Sequence, residues 1–212
     1  MPIFFQHQIN ESTRLGIWKI EETEEFFKGN VPLHRDVTHP HKRIQHLAGR
    51  FLLQFLFPDF PYHLIQIADT NKPFLPAEEY HFSISHCGDY AAAVVSKNNR
   101  VGIDIEAPVD KIIKIKNKFL SVAEQVQWLE DAPGNGLNAG VEQRQLLTLL
   151  WSCKESVFKW YGDGGVDFSE QIQLQHKQHG EDIVQCLFTK KQVHLSIHYR
   201  LFDHLVLSWI VS

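Results

Sequence analysis

The chain contains three cysteines and one methionine, and its formal charge is only −4. Cys87, Cys153 and Cys186 are odd in number and far apart, which argues against a disulfide framework and against a paired C-x-x-C zinc site. A reducing cytoplasm is the expected compartment. No run of eighteen apolar residues occurs, and the start Met1-Pro-Ile-Phe-Phe-Gln-His7 lacks a basic stretch followed by a long apolar core. Neither membrane insertion nor export is expected. With 21 Lys and Arg against 25 Asp and Glu, the chain has no basic excess to bind nucleic acid generally. G-x-S-x-G is also missing.

What is present is an apolar content of 43%, ample for a buried core in 212 residues. Ile44, Leu47, Ala48, Phe51, Leu52 and Phe55 recur at helical spacing and predict a helix over 41–57, ended by Pro58 and Pro61. Leu64–Ile67 reads as a short strand before the turn-like Asn71-Lys-Pro73. Residues 81–85 and 90–96 read as strands, and Asn98-Asn-Arg100 as a hairpin turn into a third strand, Val101–Glu106.

The second half opens with a basic segment, 111–118. Ser121 followed by Glu124 has capping-box spacing, so a helix is expected to start there. Residues 131–140 are rich in Gly, Pro and Asn and read as a loop. A long amphipathic helix follows over 142–160, closed by Gly162-Asp-Gly-Gly165. Strands are expected at 171–175, 183–188, 193–199 and 204–211.

Asp104 and Glu106 lie two apart on a strand and share a face. Glu155 and Lys159 lie four apart on a helix and do the same. Three carboxylates and an ammonium suit a divalent cation holding phosphate, since Mg²⁺ prefers oxygen ligands. A solvated strand edge and an ordinary i,i+4 ion pair would look the same. Lys154 adds a positive charge beside Glu155.

His34, Arg35, His39, His41, Lys42, Arg43, His46 and Arg50 form a basic cluster at a helix start, where phosphate is attracted. A solvated helix face is the plainer reading, and zinc is disfavoured. Ser83-Ile-Ser-His-Cys-Gly88 runs a strand into a turn with Ser85 and His86 at its mouth. Phosphate gripping fits these donors better than a nucleophile and base, because adjacent strand residues point to opposite faces.

Asn71-Lys-Pro73, Phe82–His86, Val101–Glu106, Phe119–Glu124 and Trp151–Lys159 occur in the order seen in the phosphopantetheinyl transferases of the surfactin-synthetase-activating type. Each string is weak alone; five in order are specific, and the chain resembles that family over roughly residues 40–168. The resemblance implies an α+β fold of two similar halves, 1–106 and 107–212, related by a pseudo-twofold with coenzyme A in the cleft between them. It implies transfer of the 4′-phosphopantetheine arm from coenzyme A to a serine of an apo acyl or peptidyl carrier protein, releasing adenosine 3′,5′-bisphosphate.

It further implies Asp104, Glu106 and Glu155 as ligands of Mg²⁺, or Mn²⁺, on the pyrophosphate, with Lys159 beside it. Lys72, with Pro73, and His86 fall to the phosphorylated adenosine end, and Lys42 or Arg43 to the 3′-phosphate; Lys154 and Ser85 are weaker transfers. Glu124 falls on the acid that helps deprotonate the carrier serine. Where relatives commonly carry Asn and a final Ser, this chain reads Phe-Ser-Ile-Ser-His-Cys. A monomer is expected, with Lys111, Lys114, Lys116 and Lys118 docking an acidic carrier. A metal-dependent nucleotide phosphohydrolase and a non-catalytic module binding coenzyme A or carrier are the competing readings. The carrier's pathway, whether fatty-acid, polyketide or nonribosomal peptide synthesis, stays open.

Overall fold

The structure is a computed structural model that describes residues 3–32, 37–130, 139–175 and 182–212, with residues 130 and 139–141 described by backbone only. His34, Arg35 and most of the expected loop at 131–140 lie outside the described residues. The fold is α+β and divides into two compact units, Met1–Ile105 with Val211–Ser212, and Glu106–Ile210.

The first unit is built on strands β1 (Ile3–Asn10), β2 (Thr13–Lys19), β5 (His81–Cys87) and β6 (Tyr90–Ser96), paired antiparallel in the order β1-β2-β6-β5. A small ladder of β3 (Gln66–Ile67) and β4 (Pro73–Phe74) precedes β5. Helices α1 (Glu24–Lys28) and α2 (Pro40–Leu56) complete it. Leu47, Ala48, Leu52, Leu53 and Leu56 of α2 pack on Phe82, Ala91, Ala93 and Val95 of the sheet. Gly49 is required by the close approach: a Cβ there would sit 2.6 Å from Ile84 Cγ2.

The expected hairpin from β6 into β7 (Val101–Glu106) does not form. Both edges of β6 are taken, by β2 and by β5, so the chain leaves the sheet at Asn98–Arg100. Instead β7 meets β5 through side chains: Ser83 Oγ accepts from Ile103 N at 3.2 Å, and Ser85 Oγ donates to Asp104 Oδ1 at 2.8 Å. The alternation of β5 explains this. Phe82 and Ile84 face α2, leaving Ser83 and Ser85 on the other side.

In the second unit, α3 (Lys111–Ile115), α4 (Val122–Gln125), α5 (Ala139–Tyr161) and α6 (Phe168–Gln171) accompany β8 (Ile172–Gln175), β9 (Ile183–Phe188), β10 (Val193–Leu201) and β11 (Val206–Val211). These strands neighbour one another in sequence order, antiparallel throughout. Leu147, Leu150, Cys153 and Val157 recur on one face of α5 and enter a core with Leu174, Cys186, Phe188, Ile197 and Ile210. Ser121 caps α4 with both halves of the capping box in place. The long helix starts at Ala139, three residues before the expected position.

Candidate functional site

In the first unit, β5 ends at a turn through Gly88, whose φ of +52° lies in the left-handed region that glycine tolerates. Gly88 O accepts from Gln45 Nε2 at 2.7 Å and lies 3.1 Å from His41 Nε2, which ties the N-terminus of α2 to the turn. His39 caps that helix, its Nδ1 accepting from Lys42 N at 3.5 Å. Lys42, His41 and His86 are exposed, and Lys72 and Pro73 are half-buried.

Arg43 is engaged elsewhere. Its Nε and Nη2 each donate to Glu24 at 2.8 Å, and Nη1 donates to Val37 O at 2.8 Å. The Arg43 hydrogen bonds, with those from Lys28, lower the Glu24 carboxyl to a pKa of about 2. Arg50 is also removed from solvent, 3.1 Å from His46 Nδ1.

Every residue of β7 from Val101 to Ile105 is buried, so Asp104 is no exposed edge residue. In the second unit Glu106 is half-buried, and its Oε1 accepts from Trp151 Nε1 at 3.1 Å. Beside this contact lies a cavity of about 300 Å³ lined by Glu106, Ala107, Val109, Lys111, Ile112, Ile115, Thr148 and Trp151. Glu155 and Lys159 are half-buried on α5. Among the described residues no three His, Cys, Asp or Glu side chains are gathered as they would be around an ion. The donor set suits a hard cation nonetheless, since Asp104, Glu106 and Glu155 offer only carboxylate oxygen.

Glu124 and Lys154 are brought together, with each other. Lys154 Nζ reaches Glu124 Oε1 at 2.7 Å and Oε2 at 2.9 Å, and donates to Phe168 O at 2.9 Å and Ile172 O at 2.6 Å. Glu124 accepts from Leu174 N at Oε1 and Ser121 N at Oε2, both at 2.9 Å. Lys154 is wholly buried and Glu124 4% exposed. Burial pushes the Lys154 ammonium below its ordinary value, opposed by the Glu124 charge. Burial pushes the nearby Cys186 thiol up to about 12, which removes it as a nucleophile at neutral pH.

Sequence reasoning gave Trp151 no role, although its indole N–H is a single donor with one obvious use when half-buried. It also read 111–118 only as charge, whereas Ile112 and Ile115 line the cavity.

Residues 100–209, just over half of the chain, match the model of the 4′-phosphopantetheinyl transferase superfamily. The chain belongs to that superfamily. The matched region carries Asp104, Glu106, Glu124, Lys154, Glu155 and Lys159. Over 121 residues this superfamily member is 34% identical to enterobactin synthase component D of Escherichia coli (strain K12), covering 56% of this chain and 54% of that protein. It is 29% identical over 126 residues to the 4′-phosphopantetheinyl transferase AcpT of Salmonella typhi, covering 57% and 60%. A putative 4′-phosphopantetheinyl transferase of Haemophilus influenzae is 28% identical over 109 residues, covering 50% and 43%. The matched stretch therefore spans about half the length of these relatives. Among the described residues no helix is long and apolar enough to cross a membrane.

Proposed function

We propose that this chain transfers the 4′-phosphopantetheine arm of coenzyme A to a serine hydroxyl of an apo carrier protein. The observation that carries this reading is the superfamily match over the segment holding Asp104, Glu106, Glu155 and Lys159. Similarity to enterobactin synthase component D favours a carrier of nonribosomal peptide type. The serine oxygen bonds to the β-phosphorus while the bond from that phosphorus to the bridging oxygen breaks. Adenosine 3′,5′-bisphosphate departs, and the serine proton is released.

Asp104, Glu106 and Glu155 would hold Mg²⁺, which supplies charge neutralisation at the pyrophosphate when bound. Lys159 neutralises negative charge developing on the leaving phosphate. Trp151 orients Glu106 through the indole N–H, and Ser85 does the same for Asp104. Exposed Lys42 and His86, with Lys72 and Pro73, serve the phosphorylated adenosine end. No covalent intermediate on the protein is needed, in keeping with the buried Cys153 and Cys186. The chain works as a monomer in the cytoplasm. Lys111, Lys114, Lys116 and Lys118 dock an acidic carrier by charge complementarity.

The deciding experiment is intact-mass analysis of an apo carrier protein incubated with coenzyme A, Mg²⁺ and this chain, beside an Asp104→Ala variant. The expected result is a gain of one phosphopantetheine arm, lost with chelator and in the variant. Consumption of coenzyme A without carrier would instead indicate a phosphohydrolase. No transfer to several unrelated apo carriers, with coenzyme A still bound, would indicate a binding module.

A further inference from the structure

The buried pair of Lys154 and Glu124 uses every hydrogen-bonding group it has. The ammonium has three N–H bonds to give, and its partners are Glu124, Phe168 O and Ile172 O. The carboxylate receives Lys154, Leu174 N and Ser121 N. Four elements therefore meet at one point: α5 through Lys154, the start of α4 through Ser121 and Glu124, α6 through Phe168, and β8 through Ile172 and Leu174.

Such a junction is directional. Backbone N–H groups point at the carboxylate and backbone carbonyls at the ammonium, so exchanging the two charges would set like against like. It also sits next to chemistry: Lys154 immediately precedes Glu155, and Trp151 lies one turn earlier on the same helix. A lysine whose ammonium is wholly buried and fully bonded is not disposed to grip a phosphate, and an acid whose two oxygens are both engaged inside the protein has neither aimed at a substrate hydroxyl.

We propose that Lys154 and Glu124 are a pair of positioning residues that lock the register of α5 against α4 and β8, so that Trp151, Glu155 and Lys159 project where the transfer needs them. This rests on the transferase reading for what those three residues do. The lock itself is a statement about the protein alone.

The first test uses the unmodified protein. Lysines are acylated with an amine-reactive reagent with and without coenzyme A, and mapped by peptide mass. Lys154 is expected to stay unlabelled in both states while Lys111 and Lys114, both exposed, are labelled. Labelling of Lys154 that coenzyme A suppresses would overturn the lock and make Lys154 a ligand contact.

The second test compares Glu124→Gln, Lys154→Met and the double variant. Each is expected to lose kcat roughly 10²-fold, as a misplacement of about 1 Å does, with KM for coenzyme A unchanged. The double variant is expected to lose no more than either single one, because both remove one junction. Losses that multiply in the double variant, or a fall in kcat confined to Glu124→Gln, would overturn it in favour of separate roles. Should the variants not fold, the labelling result decides. If no carrier is modified by the unaltered protein, the transferase reading fails while the labelling result still judges the lock.

Discussion

Trp151 donates its indole N–H to Glu106 across 3.1 Å, joining a helix residue to the last residue of a strand 45 positions earlier. The ring is held by Phe119, 5.3 Å between centroids, and by Phe168 at 5.5 Å, so its donor has little freedom to turn elsewhere. Trp151→Phe keeps an aromatic ring in that pocket but removes the bond to the carboxylate together with part of the indole's packing. Stability is expected to fall by at least about 1.5–3 kcal/mol, the range for a hydrogen bond to a charged group, with the lost packing added to it. Measured transfer is expected to need more Mg²⁺ for half-maximal rate, as ligand-orienting contacts commonly act about 10- to 100-fold on metal affinity or activity. An unchanged Mg²⁺ requirement would remove Trp151 from the orienting role.

Ser85 and Asp104 make the corresponding contact in the first unit, 2.8 Å apart and buried. Ser85→Ala takes one donor from a buried carboxylate and should cost about 1–3 kcal/mol in urea unfolding. Ser83→Ala, which removes the acceptor for Ile103 N, is expected to fall in the same range. A Ser85→Ala protein as stable as the parent would show that Asp104 does not depend on that hydroxyl.

Glu24 ties α1 to α2 through Arg43 and also pairs with Lys28 of its own helix, and its carboxyl is held at about 2 against an ordinary 4.5. A depressed acid contributes stability that is present above the unfolded-state value and lost as pH falls through the folded one. The melting temperature of the parent should therefore exceed that of Glu24→Gln at pH 6, and the gap should close between about 4.5 and about 2. A gap as large at pH 2 as at pH 6 would show that it does not come from the carboxylate charge.

Gly49→Ala brings a Cβ within 2.6 Å of Ile84 Cγ2. Alanine gains about 1 kcal/mol of helix propensity over glycine, but overpacking against a β-branched strand residue costs about 1–3 kcal/mol. The substitution should lower stability in chemical unfolding. Adding Ile84→Ala should make the Gly49→Ala change favourable, which tests whether that contact is the cause.

The elements that were legible from the chain are those whose signals are local. The apolar spacing of α2 and α5 and the Ser121 and Glu124 capping box appear in the structure within a few residues of their expected places. The strand β1 was missed because His7, Gln8 and Asn10 on an edge strand dilute the period-two pattern, and β2 because its interior run Leu15–Trp18 is buried throughout and does not alternate. The hairpin at 98–100 failed for a different reason: turn residues announce a reversal, but not that β2 already fills the edge of β6.

The sequence by itself determined the superfamily, which residues 100–209 carry, and from five short strings in order it proposes oxygen ligands and lysines for the site. Only the tertiary structure decided which charge answers which. Arg43 turns to Glu24, 19 residues away, and Lys154 to Glu124, 30 residues away. The physical reason is burial. Exposed Lys42 can keep its charge in water without a fixed partner, whereas Lys154 is wholly desolvated, and its ammonium is held by the carboxylate and two carbonyls that the packing of α4, α6 and β8 brings to it.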